Sequence, residues 1–236
     1  MKLSIRTSSR ASPFRAYNWP STMKVQTLAC DIQGPEGKLH TLIVSADRPA
    51  IGIAIVAHPN PREGGTHHNK VVQTIARTFA RLGYLAYCPN LRGVGESEGE
   101  HGFGLTEPAD ILAIRAHAQA THPDLASCLW LAGFSFGSFV QAQVANQLIQ
   151  AGTPAQGLIL AGPAISRYAF PTVPSDTLVI HCEHDEVIPL SDALNWARPQ
   201  QLPLVVFPGV SHFFHGHLPL LQRWVENHIL IRRVSN

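Results

Sequence analysis

Short apolar runs and helix-spaced apolar stripes alternate from residue 25 onward, separated by brief Gly, Pro and Asp punctuation. Residues 25–32 and 39–45 flank a Gly-Pro-Glu-Gly turn and predict an opening antiparallel hairpin. Residues 51–57 are continuously apolar, as in a strand covered on both faces of a parallel sheet. The period then changes. Over residues 69–82, Val72, Ile75, Ala76, Phe79 and Leu82 share one helical stripe, which Gly83 ends. The cycle repeats with strands at 84–88, 128–133, 157–161, 177–182 and 203–207. Helices are predicted at 108–120, 136–150, 190–197 and 218–231. Strands alternating with helices imply right-handed crossovers and an α/β architecture: a mostly parallel, doubly wound sheet with helices on both faces.

Composition narrows the class. At 236 residues, 45% hydrophobic, the chain can build one large core without disulfides or metal. A formal charge of +2 with 14% charged residues, the cations scattered, argues against nucleic acid or an anionic membrane as partner. No apolar run is long enough to cross a bilayer. Cys30, Cys88, Cys128 and Cys182 form no C-x-x-C pair and read as free thiols of an intracellular, cytoplasmic protein. Residues 1–22 carry four cations, many hydroxyls and no acid, and lack the apolar core of a secretory signal. They are read as a disordered extension before a single domain at 23–236.

One pentapeptide carries chemistry. Gly133-Phe134-Ser135-Phe136-Gly137 has the form G-x-S-x-G. By composition alone such a pattern turns up in about one chain in ten of this length, so its context has to decide. An apolar strand runs into it and a helix-compatible stretch runs out. A serine on such a sharp strand-to-helix turn is held in a strained conformation with its hydroxyl above the sheet. Small residues on either side let strand and helix come close, and the helix N-terminus faces any developing oxyanion. An ordinary Gly-rich turn of another α/β fold is the alternative.

A serine hydroxyl needs an imidazole base, and the base needs a carboxylate. Both are expected after later strands, at the carboxyl edge of the sheet. The loop after 178–182 offers Glu183, Asp185 and Glu186, of which Asp185 is taken as the acid. His212 follows the strand at 203–207 and is taken as the base, with His215 and His217 as near rivals and His181 and His184 flanking the acid.

These motifs resemble the α/β-hydrolase superfamily, specifically small lidless bacterial serine hydrolases of the esterase, dienelactone-hydrolase and serine-aminopeptidase kind. The resemblance covers roughly residues 25–231. Besides G-F-S-F-G it includes Ala57-His58-Pro59-Asn60-Pro61, Gly64-Gly65-Thr66, Asn69-Lys70-Val71-Val72, the loop from Asn90 to Ser97, and His212-Phe213-Phe214. The family's acid sits in a pattern like G-x-x-D-x-V-x-P. Asp185, Val187 and Pro189 match it, while Cys182 stands where the glycine is usual. The resemblance implies an oxyanion hole of two backbone N–H groups, one on Phe136 and one on the loop after the third strand. Pro59 and Pro61 have no N–H, which leaves Asn60 as the second donor.

Arg92-Gly93-Val94-Gly95 does not make a dinucleotide site, because no helix follows directly and no ribose-binding acid is correctly spaced. No nicotinamide, flavin or other cofactor is expected. His58, His67 and His68 lack a metal-ligand spacing and read as surface histidines, so no metal is expected either. Too few residues separate Ala161 from Thr177 for a cap domain, and that apolar stretch is expected to line one wall of an open site. The expected activity is that of a carboxylesterase (EC 3.1.1) acting on small or short-acyl esters. Thioesterase, peptidase or perhydrolase chemistry would use the same residues, and a non-catalytic binding protein of the same fold is the reading from another class. A small-molecule ester is the expected partner, and a homodimer is compatible with the sequence.

Overall fold

The computed structural model describes residues 24–234, so the extension expected at 1–22 lies outside the described residues. Eight strands form one sheet: β1 (Val25–Gly34), β2 (Gly37–Ala46), β3 (Gly52–Ala57), β4 (Tyr84–Pro89), β5 (Leu129–Phe134), β6 (Gly157–Ala161), β7 (Leu178–Cys182) and β8 (Leu204–Phe207). Five helices accompany them: α1 (Lys70–Arg81), α2 (Glu107–Thr121), α3 (Phe136–Gln150), α4 (Leu190–Ala197) and α5 (Leu218–Val234). The strand order is β1-β2-β4-β3-β5-β6-β7-β8. β1 pairs with β2, and β2 with β4, antiparallel; from β4 to β8 every pair is parallel.

The elements match the hydrophobic pattern because burial demands it. All six residues of β3 are buried, Ala54 and Val56 on one face and Ile53, Ile55 and Ala57 on the other. The first face packs under α1 and α5, through Val72, Ile75, Phe79, Leu221, Val225 and Ile229. The second lies under α2 and α3, through Ile111, Ile114, Val140 and Val144. Asn69 caps α1, its side chain accepting the Val71 N–H. The edge strand β1 is largely exposed in its first half, so its alternation is weak there.

A buried ion pair fixes the segment after β4. The Arg92 guanidinium donates from Nη2 to Asp110 Oδ1 at 2.7 Å, and the Arg92 N–H donates to Asp110 Oδ2 at 3.0 Å. A second guanidinium nitrogen reaches Glu36 in the β1–β2 turn. The loop that superficially resembled a dinucleotide motif is therefore a strut between hairpin, sheet and α2.

The order of strands reverses at the middle of the sheet. β3 leads outward to β4 on one side, while the chain returns through β5 on the other. At such a switch point the loops leaving the two central strands diverge and open a crevice at the carboxyl edge. Those loops here are residues 58–60 and the turn at Ser135. Among the described residues no cap fills the crevice: residues 162–177 contain neither helix nor strand. No helix among the described residues is long and apolar enough to cross a membrane.

Candidate active site

Ser135 sits between the end of β5 and the start of α3, at φ 52° and ψ −114°, a conformation that L-residues avoid. The turn is held there from several sides. The Ser135 N–H donates to Ala161 O at 2.9 Å. The Ser138 hydroxyl donates to Gly133 O at 2.8 Å, and Gln141 Nε2 to Ile55 O at 3.0 Å. The flanking glycines are steric requirements. A Cβ on Gly133 would run into the Gly137 carbonyl, and one on Gly137 into the carbonyls of Ala57 and His58. The second collision is with the end of β3, a contact that the local sequence does not reveal.

Three side chains distant in sequence meet at this turn. His212 Nδ1 lies 2.7 Å from Asp185 Oδ2, and His212 Nε2 lies 3.0 Å from Ser135 Oγ. Burial acts to raise the Asp185 carboxyl, but the hydrogen bond from His212 and the Ile188 N–H outweigh it and hold the pKa below the usual carboxylate value. An ionised carboxylate only accepts, so the proton between them belongs to Nδ1. Nε2 then presents its lone pair to the Ser135 hydroxyl, which donates to it.

The competing acids have other work. Glu183 Oε2 accepts the Gly209 N–H at 2.8 Å, and Glu186 Oε2 accepts the His212 N–H at 3.1 Å. Both tie the β7 and β8 loops together through backbone, and neither reaches the imidazole. Asp185 Oδ1 accepts the N–H groups of Val187 and Ile188, at 3.0 and 2.7 Å, which fixes its rotamer. His181, on β7 below it, donates from Nε2 to Ile188 O at 2.9 Å. Of the rival bases, His217 turns its Nδ1 to His215 O on an exposed segment. The His212 ring is confined by Phe134 and Phe213, with centroids 5.1 and 5.2 Å away. Gly162 faces the same ring, where a Cβ would stand 3.3 Å from Cε1.

Asn60 and Phe136 line the crevice with Ser135. Phe136 opens α3, so its N–H is one of those a helix cannot satisfy internally. The Asn60 N–H is set by a residue that is buried, contrary to what its sequence context predicts. His58 and His67 read as surface histidines, but they are 0% and 1% exposed. His58 is packed at the end of β3, where its Nδ1–H donates to Pro59 O at 2.7 Å and its Nε2 accepts the Leu91 N–H at 3.0 Å. The peptide between Pro59 and Asn60 is trans, so its carbonyl and N–H point opposite ways. A carbonyl drawn inward to His58 turns the Asn60 N–H outward, on the side where Asn60 meets the crevice. Gly65 has to be glycine because a Cβ would strike the same Pro59 carbonyl. The described residues hold no cluster of three or more His, Cys, Asp or Glu able to bind a metal ion.

The fold has counterparts. A lidless α/β serine hydrolase from Xanthomonas campestris is 34% identical, covers 86% of this chain and 94% of its own, and superposes with a TM-score of 0.78. The chain belongs to the α/β-hydrolase family. An α/β serine hydrolase homologue from Coxiella burnetii is 32% identical over 85% of this hydrolase and 96% of its own chain, with a TM-score of 0.76. An uncharacterised protein of Rickettsia prowazekii is 29% identical over 210 residues, spanning 84% of this chain and 86% of its own. The family model described as serine aminopeptidase, S33, matches residues 61–173 of this hydrolase.

The crevice is narrow beside the turn at Ser135 and wider beyond it. Two pockets touching Ser135 have volumes of only about 30 and 40 Å³. Ala164, Arg167 and Tyr168, from the stretch after β6, form one wall, as the sequence suggested for that segment.

Burial of histidines also sets the hydrolase's acid stability. Desolvation holds His58 and His67, and likewise His228 on α5, down to about 4 from an ordinary 6.5. Between those values the unfolded chain binds protons that the folded chain refuses. Stability is therefore complete above the ordinary value and is lost as pH falls toward 4. For the fully buried His58 the loss reaches roughly 3 kcal/mol. Urea midpoints measured at pH 7.5, 5.5 and 4.5 should fall in that order; a constant midpoint would show that these imidazoles are not desolvated.

Proposed function

We propose that this α/β-hydrolase cleaves carboxylic esters of small or short-acyl substrates, using Ser135 as nucleophile, His212 as base and Asp185 as the orienting acid. The observation that carries the proposal is the unbroken hydrogen-bonded path from Asp185 through both ring nitrogens of His212 to the Ser135 hydroxyl. In this reading the Ser135 Oγ attacks the ester carbonyl as its proton passes to His212 Nε2. Asp185 stabilises the imidazolium. The carbonyl oxygen becomes an oxyanion received by the N–H groups of Asn60 and Phe136. The proton on Nε2 goes to the departing alcohol, leaving an acyl-serine. Water, deprotonated by the same nitrogen, then releases the acid and restores the hydroxyl.

The small volume beside Ser135 supports short acyl groups, since about 30–40 Å³ takes only a few heavy atoms. With no cap among the described residues, the alcohol part has room to be larger than the acyl part. A panel of 4-nitrophenyl esters from acetate to dodecanoate tests this. The expected kcat/KM peaks at two to four acyl carbons and falls by at least about tenfold by eight, because a longer alkyl chain runs against the charged wall of Arg62, Glu63 and Arg167. A maximum at eight or more carbons would contradict the proposal. The observation that favours a peptidase is Glu63, whose carboxylate lines the crevice and could hold an amino terminus. Aminoacyl 4-nitroanilides in the same panel decide between them, and cleavage faster than the acetate ester would favour the peptidase.

His58 is a positioning residue in this scheme, acting through the Pro59–Asn60 peptide. Replacing His58 with alanine should lower kcat by about 10–100-fold with little change in KM, approaching the loss of one oxyanion donor. His58→Gln, which can still donate to Pro59 O, should recover part of it. A rise in KM with kcat unchanged would show that His58 only supports the fold of the binding surface.

A further inference from the structure

Next to the crevice at Ser135 lies a second chamber of about 410 Å³, lined by Asn60, Arg62, Glu63, His101, Phe103, Arg167 and Tyr168. Four of these residues, Asn60, Glu63, Arg167 and Tyr168, also line the crevice, so the two spaces adjoin. A substrate whose carbonyl lies at Ser135 and which extends past Tyr168 enters this chamber.

The chamber's charges are unbalanced. Among the described residues, neither Arg62 nor Arg167 has a carboxylate within ion-pair distance, unlike the buried Arg92. Glu63 is the one exposed carboxylate on the wall, so two guanidiniums face a single negative charge. The nearby Glu107 is buried and already committed. It accepts the Gly102 and Gly104 N–H groups at 2.7 and 2.8 Å, and its Oε1 lies 2.7 Å from His101 Nδ1. Those bonds fix the loop carrying Phe103, which is held at φ 56° with its ring exposed. The Arg62 guanidinium lies over that ring, 5.4 Å from its centroid. Arg62 is thus held at the chamber with its donors available, while Arg167, next to Tyr168 in the stretch after β6, lines the same space. A planar guanidinium pair around a half-enclosed space suits an oxyanion.

We infer that the chamber is an anion subsite, and that the preferred substrates are esters bearing a carboxylate or phosphate group a few bonds from the scissile carbonyl. The inference rests on the reading of Ser135 as nucleophile. It adds the substrate class that the triad alone leaves open. Esters of the same length without the anionic group should be poorer substrates because the aromatic faces of Phe103 and Tyr168 do not replace the lost ion pairs.

Matched pairs of esters test it. 4-Nitrophenyl hydrogen glutarate is compared with its methyl ester for the acyl side. 4-Acetoxybenzoate and 4-acetoxyphenyl phosphate are compared with methyl 4-acetoxybenzoate for the alcohol side. The readout is the anionic-to-neutral ratio of kcat/KM. It should reach about ten in at least one pair, and fall at least about fivefold in Arg62→Gln or Arg167→Gln. It should rise in Glu63→Gln, which removes the opposing charge, and shrink with added salt. Which pair responds identifies the side of the substrate and whether carboxylate or phosphate is preferred. Ratios near one in every pair, or a preference indifferent to all three substitutions, would overturn the inference while leaving ester hydrolysis itself intact. Glutarate and inorganic phosphate binding to the Ser135→Ala protein, measured by calorimetry, reads the subsite with no chemistry. Binding of either that Arg167→Gln abolishes supports the subsite even if the ester proposal fails; binding of neither counts against it.

Discussion

Ser135→Ala should lower the rate of short-chain ester hydrolysis by a factor on the order of 10⁵–10⁶, leaving only what the oxyanion donors and substrate binding provide. The hydroxyl makes one hydrogen bond of its own, to His212 Nε2 at 3.0 Å. The turn is held instead by backbone and by Ser138 and Gln141. The variant should therefore unfold within about 1 kcal/mol of the parent, since only one neutral hydrogen bond is lost. Circular dichroism and urea melts alongside the rate measurement separate the two effects. Full activity in a folded Ser135→Ala protein would remove the nucleophile from the scheme.

Asp185→Asn should cost about 10⁴ in kcat, whereas Glu183→Gln should cost less than about tenfold. The asymmetry follows from what each carboxylate touches. Asp185 receives the Nδ1–H of His212 and so fixes which ring nitrogen faces the serine. An amide there can present its NH₂ to Nδ1 and reverse the tautomer, leaving a proton on Nε2 where a lone pair is needed. Glu183 bonds only the Gly209 N–H, at 2.8 Å, a contact that glutamine's carbonyl oxygen can keep. Steady-state kinetics on one acetate ester with both variants is sufficient. The reverse ranking would move the acid to Glu183 and require the β7 loop to rearrange.

The parts of the molecule legible in the sequence are those where one local rule dominates. β3, buried on both faces, had to be a continuous apolar run, and α1 had to show a single stripe at helical spacing. Element ends differ by one to three residues where caps and turns decide them: α2 begins at Glu107 because that carboxylate turns back to the Gly102 and Gly104 N–H groups. The elbow at Ser135 was legible because glycines are forced on either side of it. The roles of the polar core residues were not. His58 is held by Leu91, 33 positions away, and Arg92 by Asp110 and Glu36. Nothing near His58 in sequence announces that a distant backbone N–H will satisfy its second nitrogen, so it reads as a surface residue, and the local sequence gives no sign of the burial of His67 either. The strand order, and with it the chamber around Arg62 and Arg167, likewise depends on which loops the switch point brings together.

The central claim is that the imidazole of His212 makes one particular hydroxyl, that of Ser135, reactive. A fluorophosphonate probe on the folded protein, followed by peptide mass mapping, tests it most directly. The expected result is a single adduct on the peptide containing Ser135, absent from Ser135→Ala and slowed by orders of magnitude in His212→Ala. An adduct on another serine, such as Ser97 or Ser138, or no adduct on folded protein, would contradict the account.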